Sequence, residues 1–170
     1  MASLRRRRRI VAAMRAGYRV AYWLVWAWCA VLRPHQRGVK CVVRAGDGRV
    51  LFVRHSYGDQ AAWELPGGRA KRSEPAADAA RREAREELGV DLESWRDVGT
   101  VEGTWTGARL ELTCLQAELP GGAVLDPDPV ELQTCAWHAL DDPPRPLGPV
   151  TLAAMPLVLA GADGANGARD

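Results

Sequence analysis

Glu83, Glu86 and Glu87 fall within five positions of the stretch Arg82-Glu83-Ala84-Arg85-Glu86-Glu87-Leu88-Gly89-Val90. On a helix, residues three and four apart face each other, so these carboxylates repel by a few tenths of a kcal/mol per pair (~0.2–0.5). A divalent cation would remove that repulsion. Hard oxygen ligands at this density select Mg²⁺ or Mn²⁺ over softer metals. A plainer account is a solvated Glu/Arg face, in which Arg82 and Glu86 form an i,i+4 pair. The residues on either side decide between the two.

Upstream, Gly67-Gly68 follows the short extended piece Trp63-Glu64-Leu65-Pro66, and two glycines permit an unusual backbone path with close approach by a ligand. Ser73 or Glu74 is placed to cap a helix that begins around Pro75, and Gly89 is placed to end it after Leu88. Strands are expected at 38–45 and 49–55, joined by the tight turn Ala45-Gly46-Asp47-Gly48, then at 96–104, 108–118 and 131–138. A Pro/Gly/Asp loop spans 120–129, and a closing helix is expected at 149–160. The small, polar end at 161–170 reads as disordered tail. This order predicts an α+β domain over 38–160.

The spacing Gly68, five residues, Glu74, seven residues, Arg82-Glu83, then Glu86-Glu87 and Gly89 resembles the Nudix box at all seven of its fixed residues. The resemblance covers about residues 38–160. It implies a Nudix fold, a mixed β-sheet sandwiched between helices, and a Mg²⁺-dependent hydrolase (Mn²⁺ may substitute) acting on a nucleoside diphosphate linked to another group. By the same resemblance Glu83, Glu86 and Glu87 with the backbone at Gly68 are the metal ligands, Arg82 holds a carboxylate in position, and Glu74 is a structural member of the box beside Gly68 and Gly89. Members differ in their general base; Glu131, between the loop and the last strand, is the candidate here. Arg54, His55, Arg69 and Lys71 are candidate substrate contacts. Thr106, Gly107 and Ala108 stand where some subclasses carry a proline or tyrosine, so the substrate stays open. A binding module of the same fold without turnover is the rival reading, and a lipid-linked diphosphate a second one.

Charge is distributed unevenly. The first 40 residues hold ten Lys/Arg and no acid, whereas the remainder holds 13 basic and all 21 acidic residues. An acidic body excludes a domain that coats nucleic acid with a broad basic face. The four cysteines show no CxxC spacing and no Cys/His cluster, which argues against zinc and suits a reducing, cytoplasmic setting.

The segment 1–37 is basic and aromatic. Its uncharged run, Val20 to Leu32, is 13 residues long, short of the roughly 20 needed to span a bilayer. As a helix it is amphipathic, with Val20, Leu24, Ala27, Trp28 and Val31 on one face and Arg15, Arg19, Tyr22, Trp26 and Arg33 on the other. Residues 5–33 could lie on an anionic membrane, pack on their own domain, or meet a second subunit in a homodimer.

Overall fold

The computed structural model describes residues 2–105 and 107–166; Thr106 lies outside them. Helix α1 spans Ala2–Leu32, followed by β1 (His35–Arg44), β2 (Val50–His55), α2 (Ala76–Leu88), β3 (Arg96–Trp105), β4 (Ala108–Glu118), β5 (Leu132–His138) and α3 (Pro149–Asn166). The expected elements are present with shifted ends. β1 starts three residues earlier than read, because His35, Gln36 and Arg37 continue the pairing with β4 at Arg109, Leu110 and Glu111. α3 runs past 160 to Asn166, so the first part of the stretch expected as tail is helical, and 167–170 lie outside the described residues.

The five strands form one sheet in the order β3-β4-β1-β2-β5. β1 and β4 run parallel at its centre, and the other neighbours are antiparallel. Side chains alternate across a strand, and here the alternation sorts two cores. Val39, Cys41 and Val43 of β1, with Leu51 and Val53 of β2, pack against Ala79, Ala80, Ala84 and Leu88 of α2. Val42, Val50 and Phe52 face the opposite side, with Met155 and Val158 of α3. The sheet is therefore sandwiched between helices, as the resemblance implied.

The run of alanines on the buried face of α2 lets that helix approach the sheet closely. Its start differs from expectation: Pro75 occupies the cap position with no side-chain cap, and Ser73 takes a left-handed backbone (φ 62°) rather than capping. Its end is as read. Gly89 adopts φ 68°, and the N–H groups of Gly89 and Val90 return to the carbonyls of Arg85 and Ala84.

α3 also anchors the segment that leads into the site. The Leu65 N–H donates to Thr151 Oγ1 at 2.9 Å, and the Thr151 hydroxyl donates in turn to the Glu64 carboxylate. Thr151 is fully buried. Thr151→Val keeps the shape but strands the buried Leu65 N–H, while Glu64 Oε2 keeps its Lys40 partner. Urea denaturation should show a loss of about 1–3 kcal/mol, the usual cost of an unsatisfied buried partner.

Candidate active site

α2 presents Glu83, Glu86 and Glu87 to a cavity of about 680 Å³, which Gly67, Gly68, Arg69, His55 and Glu131 also line. The two glycines make this approach feasible. Gly67 has φ 131°, and a Cβ there would sit 2.3 Å from the Val39 carbonyl oxygen. A Cβ on Gly68 would sit 2.6 Å from Glu83 Oε2. The bend is thus pressed between β1 and the glutamates, with the Gly68 carbonyl accepting from Val39 N–H at 2.9 Å.

Glu87 is fully buried, and its Oε2 accepts the Gly67 N–H at 3.0 Å. Desolvation pushes its pKa up to about 8, against the opposing effect of that hydrogen bond. Burial also raises Glu83, with Arg82 acting in the opposite direction. Arg82 is the organiser. Its Nη1 meets Glu83 Oε1 at 2.6 Å and Glu86 Oε2 at 3.1 Å, while Nε and Nη2 grip both oxygens of Glu74 at 3.0 Å. Glu74, held by Arg82 and by the Lys71 N–H, has its pKa lowered to about 2. Of the two roles open to Glu74, capping and pairing with Arg82, the structure realises the pairing.

The donor set fits a hard divalent cation. Glu83 is a buried carboxylate that shares the Arg82 guanidinium with Glu74 and Glu86, and Glu87 is a buried carboxylate on the Gly67 N–H. Among the described residues, however, no three Asp, Glu, His or Cys side chains are already gathered as a coordination sphere. Glu83 and Glu86 lie on Arg82, and Glu87 lies on the Gly67 N–H.

Glu131 lies just before β5, and its carbonyl accepts the Ser56 N–H at 2.7 Å just past the end of β2. Its negative charge contributes to raising both Glu83 and Glu87, which puts it in the same electrostatic field. His55 reaches the cavity too. Desolvation lowers its pKa to about 4, so the ring is neutral and its 3.9 Å approach to Glu87 is not an ion pair. Its Nδ1 is buried without a hydrogen-bond partner, and the ring stacks on Tyr57 at 4.9 Å.

Two of the expected substrate contacts lie elsewhere. Arg54 precedes His55 by one residue and so faces the α3 side, its guanidinium 5.5 Å from the Trp63 ring. Lys71 does not line the cavity; its backbone N–H serves Glu74 instead. Arg69 does line it, and its carbonyl accepts from Arg82 at 3.1 Å.

Of the three placements open to residues 5–33, α1 takes the one on its own domain, through contacts that sequence reasoning did not name. Arg15 donates to the carbonyls of Pro129 and Leu132 at 2.9 and 3.0 Å, on either side of Glu131. The Tyr18 hydroxyl donates to Glu131 Oε1 at 2.7 Å, and this bond leads the causes that raise its pKa to about 12. Lower on the helix, Gln36 Nε2 contacts buried Cys29 Sγ at 2.6 Å. The available signal was the row Arg15, Tyr18, Tyr22, Cys29, which recurs at helical spacing along one face.

Comparison with known proteins agrees with this geometry. The NUDIX domain model matches residues 34–157. The RNA pyrophosphohydrolase of Teredinibacter turnerae is 35% identical over 82 residues, 48% of this chain and 47% of that protein, so the chain spans about half the length of the curated relative it matches. The MutT NUDIX hydrolase of Burkholderia pseudomallei superposes with a TM-score of 0.64 at 30% identity, over 72% of this chain and 97% of that one. The NUDIX domain of Shewanella oneidensis NrtR, solved with ADP ribose, shares the fold at a TM-score of 0.63 and 19% identity, over 74% and 87% of the two chains. α1 precedes the matched segment. With a family model covering residues 34–157 and the box carboxylates lining one cavity, the chain belongs to the Nudix family.

Proposed function

We propose that this chain is a Nudix hydrolase that uses a divalent cation, Mg²⁺ or Mn²⁺, to cleave the diphosphate of a nucleoside diphosphate linked to a second group. The products are a nucleotide and a phosphorylated remainder. The observation that carries this reading is the convergence of Glu83, Glu86, Glu87 and Glu131 on one cavity. Glu83, Glu86, Glu87 and the Gly68 carbonyl would hold the cation. Bound there, it supplies neutralisation of the diphosphate and polarisation of the phosphorus under attack. Arg82 keeps Glu83 and Glu86 oriented and is itself fixed by Glu74. Glu131, anchored through Tyr18, is placed to take the proton of the attacking water. The binding-module reading is disfavoured because every box glutamate is present, with Glu83, Glu86 and Glu87 on the cavity and Glu74 on Arg82.

The substrate is a nucleotide-type small molecule, and the names of the relatives supply two candidates: the pyrophosphate of an RNA and ADP ribose. A panel of these with Mg²⁺ tests the assignment. Turnover should vanish with EDTA. Loss of a metal carboxylate removes several kcal/mol of charge stabilisation, so Glu86→Gln should lower kcat/KM by roughly 10²-fold or more. Retained activity in that variant would sink the assignment. Arg82→Lys cannot keep the bidentate grip on Glu74 while touching Glu83 and Glu86. It should fold normally and lose about 10–100-fold in kcat/KM, the usual cost of removing a partner that orients metal ligands.

A peripheral membrane contact through residues 5–33 has one supporting observation. α1 docks on its domain through Arg15, Tyr18, Tyr22 and Cys29, and it turns Val20, Leu24 and Val31 outward with 61, 67 and 77% of their surface exposed. The arginines at 5–9 begin the same helix, and no helix among the described residues is long and apolar enough to cross a membrane. An apolar row beside a basic run fits an anionic lipid surface, whereas two copies of this acid-free helix would bring like charges together. Sedimentation with phosphatidylglycerol-containing vesicles should pull down the wild type and leave a Val20→Glu/Leu24→Glu variant in solution. Equal sedimentation of both, or dimerisation without vesicle binding, would overturn the membrane contact.

A further inference from the structure

One wall of the cavity comes from outside the family domain. Tyr18, Ala21, Tyr22 and Val25 of α1 line it. This wall is fixed at both ends, by Arg15 on the Pro129 and Leu132 carbonyls and by buried Cys29 on Gln36. Leu110 and Leu112 of β4 and Val150 of α3 line the same cavity. A continuous aromatic row joins wall to floor. Tyr57 lies 6.0 Å from Tyr18 and 5.7 Å from Tyr22, and Tyr22 meets Trp105 edge-on at 6.3 Å. Tyr22 also rests on the backbone of Gly58, where a Cβ would come within 3.0 Å of its ring. The cavity thus joins the carboxylates to an aromatic and aliphatic wall that meets them where Tyr18 donates to Glu131.

We infer that α1, which precedes the family domain, builds a subsite for a group with a large apolar face carried by the diphosphate: a planar ring such as a nucleobase, or a hydrocarbon chain. The inference rests on the assignment of the glutamate end to a metal-held diphosphate. The chemistry of the lining selects it. An apolar face would gain contact with Leu110, Leu112 and Val25, while Gln36, Arg37 and Asp59 of the same lining serve the polar atoms at its edge. The rings pack against one another at fixed angles, so the pocket is preformed rather than assembled around its ligand.

Binding without turnover tests this, by calorimetry on the full chain with Mg²⁺. The probes are methylenediphosphonate, its adenosine ester and its geranyl ester. At least one ester should bind roughly tenfold more tightly than methylenediphosphonate, as burial of an additional apolar face allows. Whichever ester shows the advantage names the source of the apolar group. Val25→Trp, at a half-exposed helix position that tolerates a larger side chain, should fill the pocket and bring the ratio between ester and diphosphonate close to one. Tyr22→Ala, which opens the wall, should lower the same ratio and serves if the first variant is poorly folded. An unchanged ratio in both variants overturns the subsite, as does equal binding of all three probes by the wild type. Failure of methylenediphosphonate to bind in a metal-dependent way is a different result, and it would fall on the hydrolase assignment itself.

Discussion

The burial of two like-charged carboxylates on one helix face is the constraint around which this molecule is arranged. An ionised carboxylate taken out of water without a partner is expensive enough that the group ordinarily takes up a proton instead. Glu87 shows that pressure, since its pKa is pushed up to about 8 by desolvation even though a backbone N–H points at it. The surrounding structure relieves part of the strain. Gly67 turns its N–H inward, Arg82 spans Glu83 and Glu86, and Glu74 fixes Arg82 from behind. What remains unrelieved is the desolvation of Glu87, the charge that the proposed cation would offset.

That arrangement explains why the glycines matter as much as the acids. The bend at Gly67 and Gly68 is squeezed between the β1 backbone and the Glu83 carboxylate: a Cβ at Gly67 would meet backbone, and one at Gly68 would displace that carboxylate. The α2 alanines act in the same way one layer deeper. Ala79, Ala80 and Ala84 bring the helix axis close to the sheet, so that glutamates on the same helix reach the bend. Small residues set the distance, and charged residues use it.

The part of the site on α2 was legible in the sequence because its residues are close together and obey one helical period. Glu83, Glu86, Glu87, Arg82 and Glu74 need no knowledge of the rest of the chain to be grouped. Residues brought in from other elements were harder to place. Arg54 and His55 are adjacent, and only the period of two decides between them. Leu51 and Val53 face α2, so His55 does too, and Arg54 joins Phe52 on the other face. That inference was available from the strand pattern once the burial of one member was known. Lys71 failed for a different reason: in a short loop the backbone direction, set here by the left-handed Ser73, decides which groups look inward.

α1 was the least legible element, because amphipathicity reports that two faces differ without saying which one turns inward. A hydrophobic ranking would bury Val20, Leu24 and Val31, yet these are exposed, while the face carrying Arg15, Tyr18 and Tyr22 meets the domain. Hydrogen bonding decides the orientation. The carbonyls of Pro129 and Leu132 and the carboxylate of Glu131 offer acceptors where β5 begins, and a guanidinium and a phenol can satisfy them while laying their apolar bodies on the surface. The outward row of valine and leucine could offer these acceptors no donor. The helix is thus held by its polar groups, and its most apolar face is left to solvent.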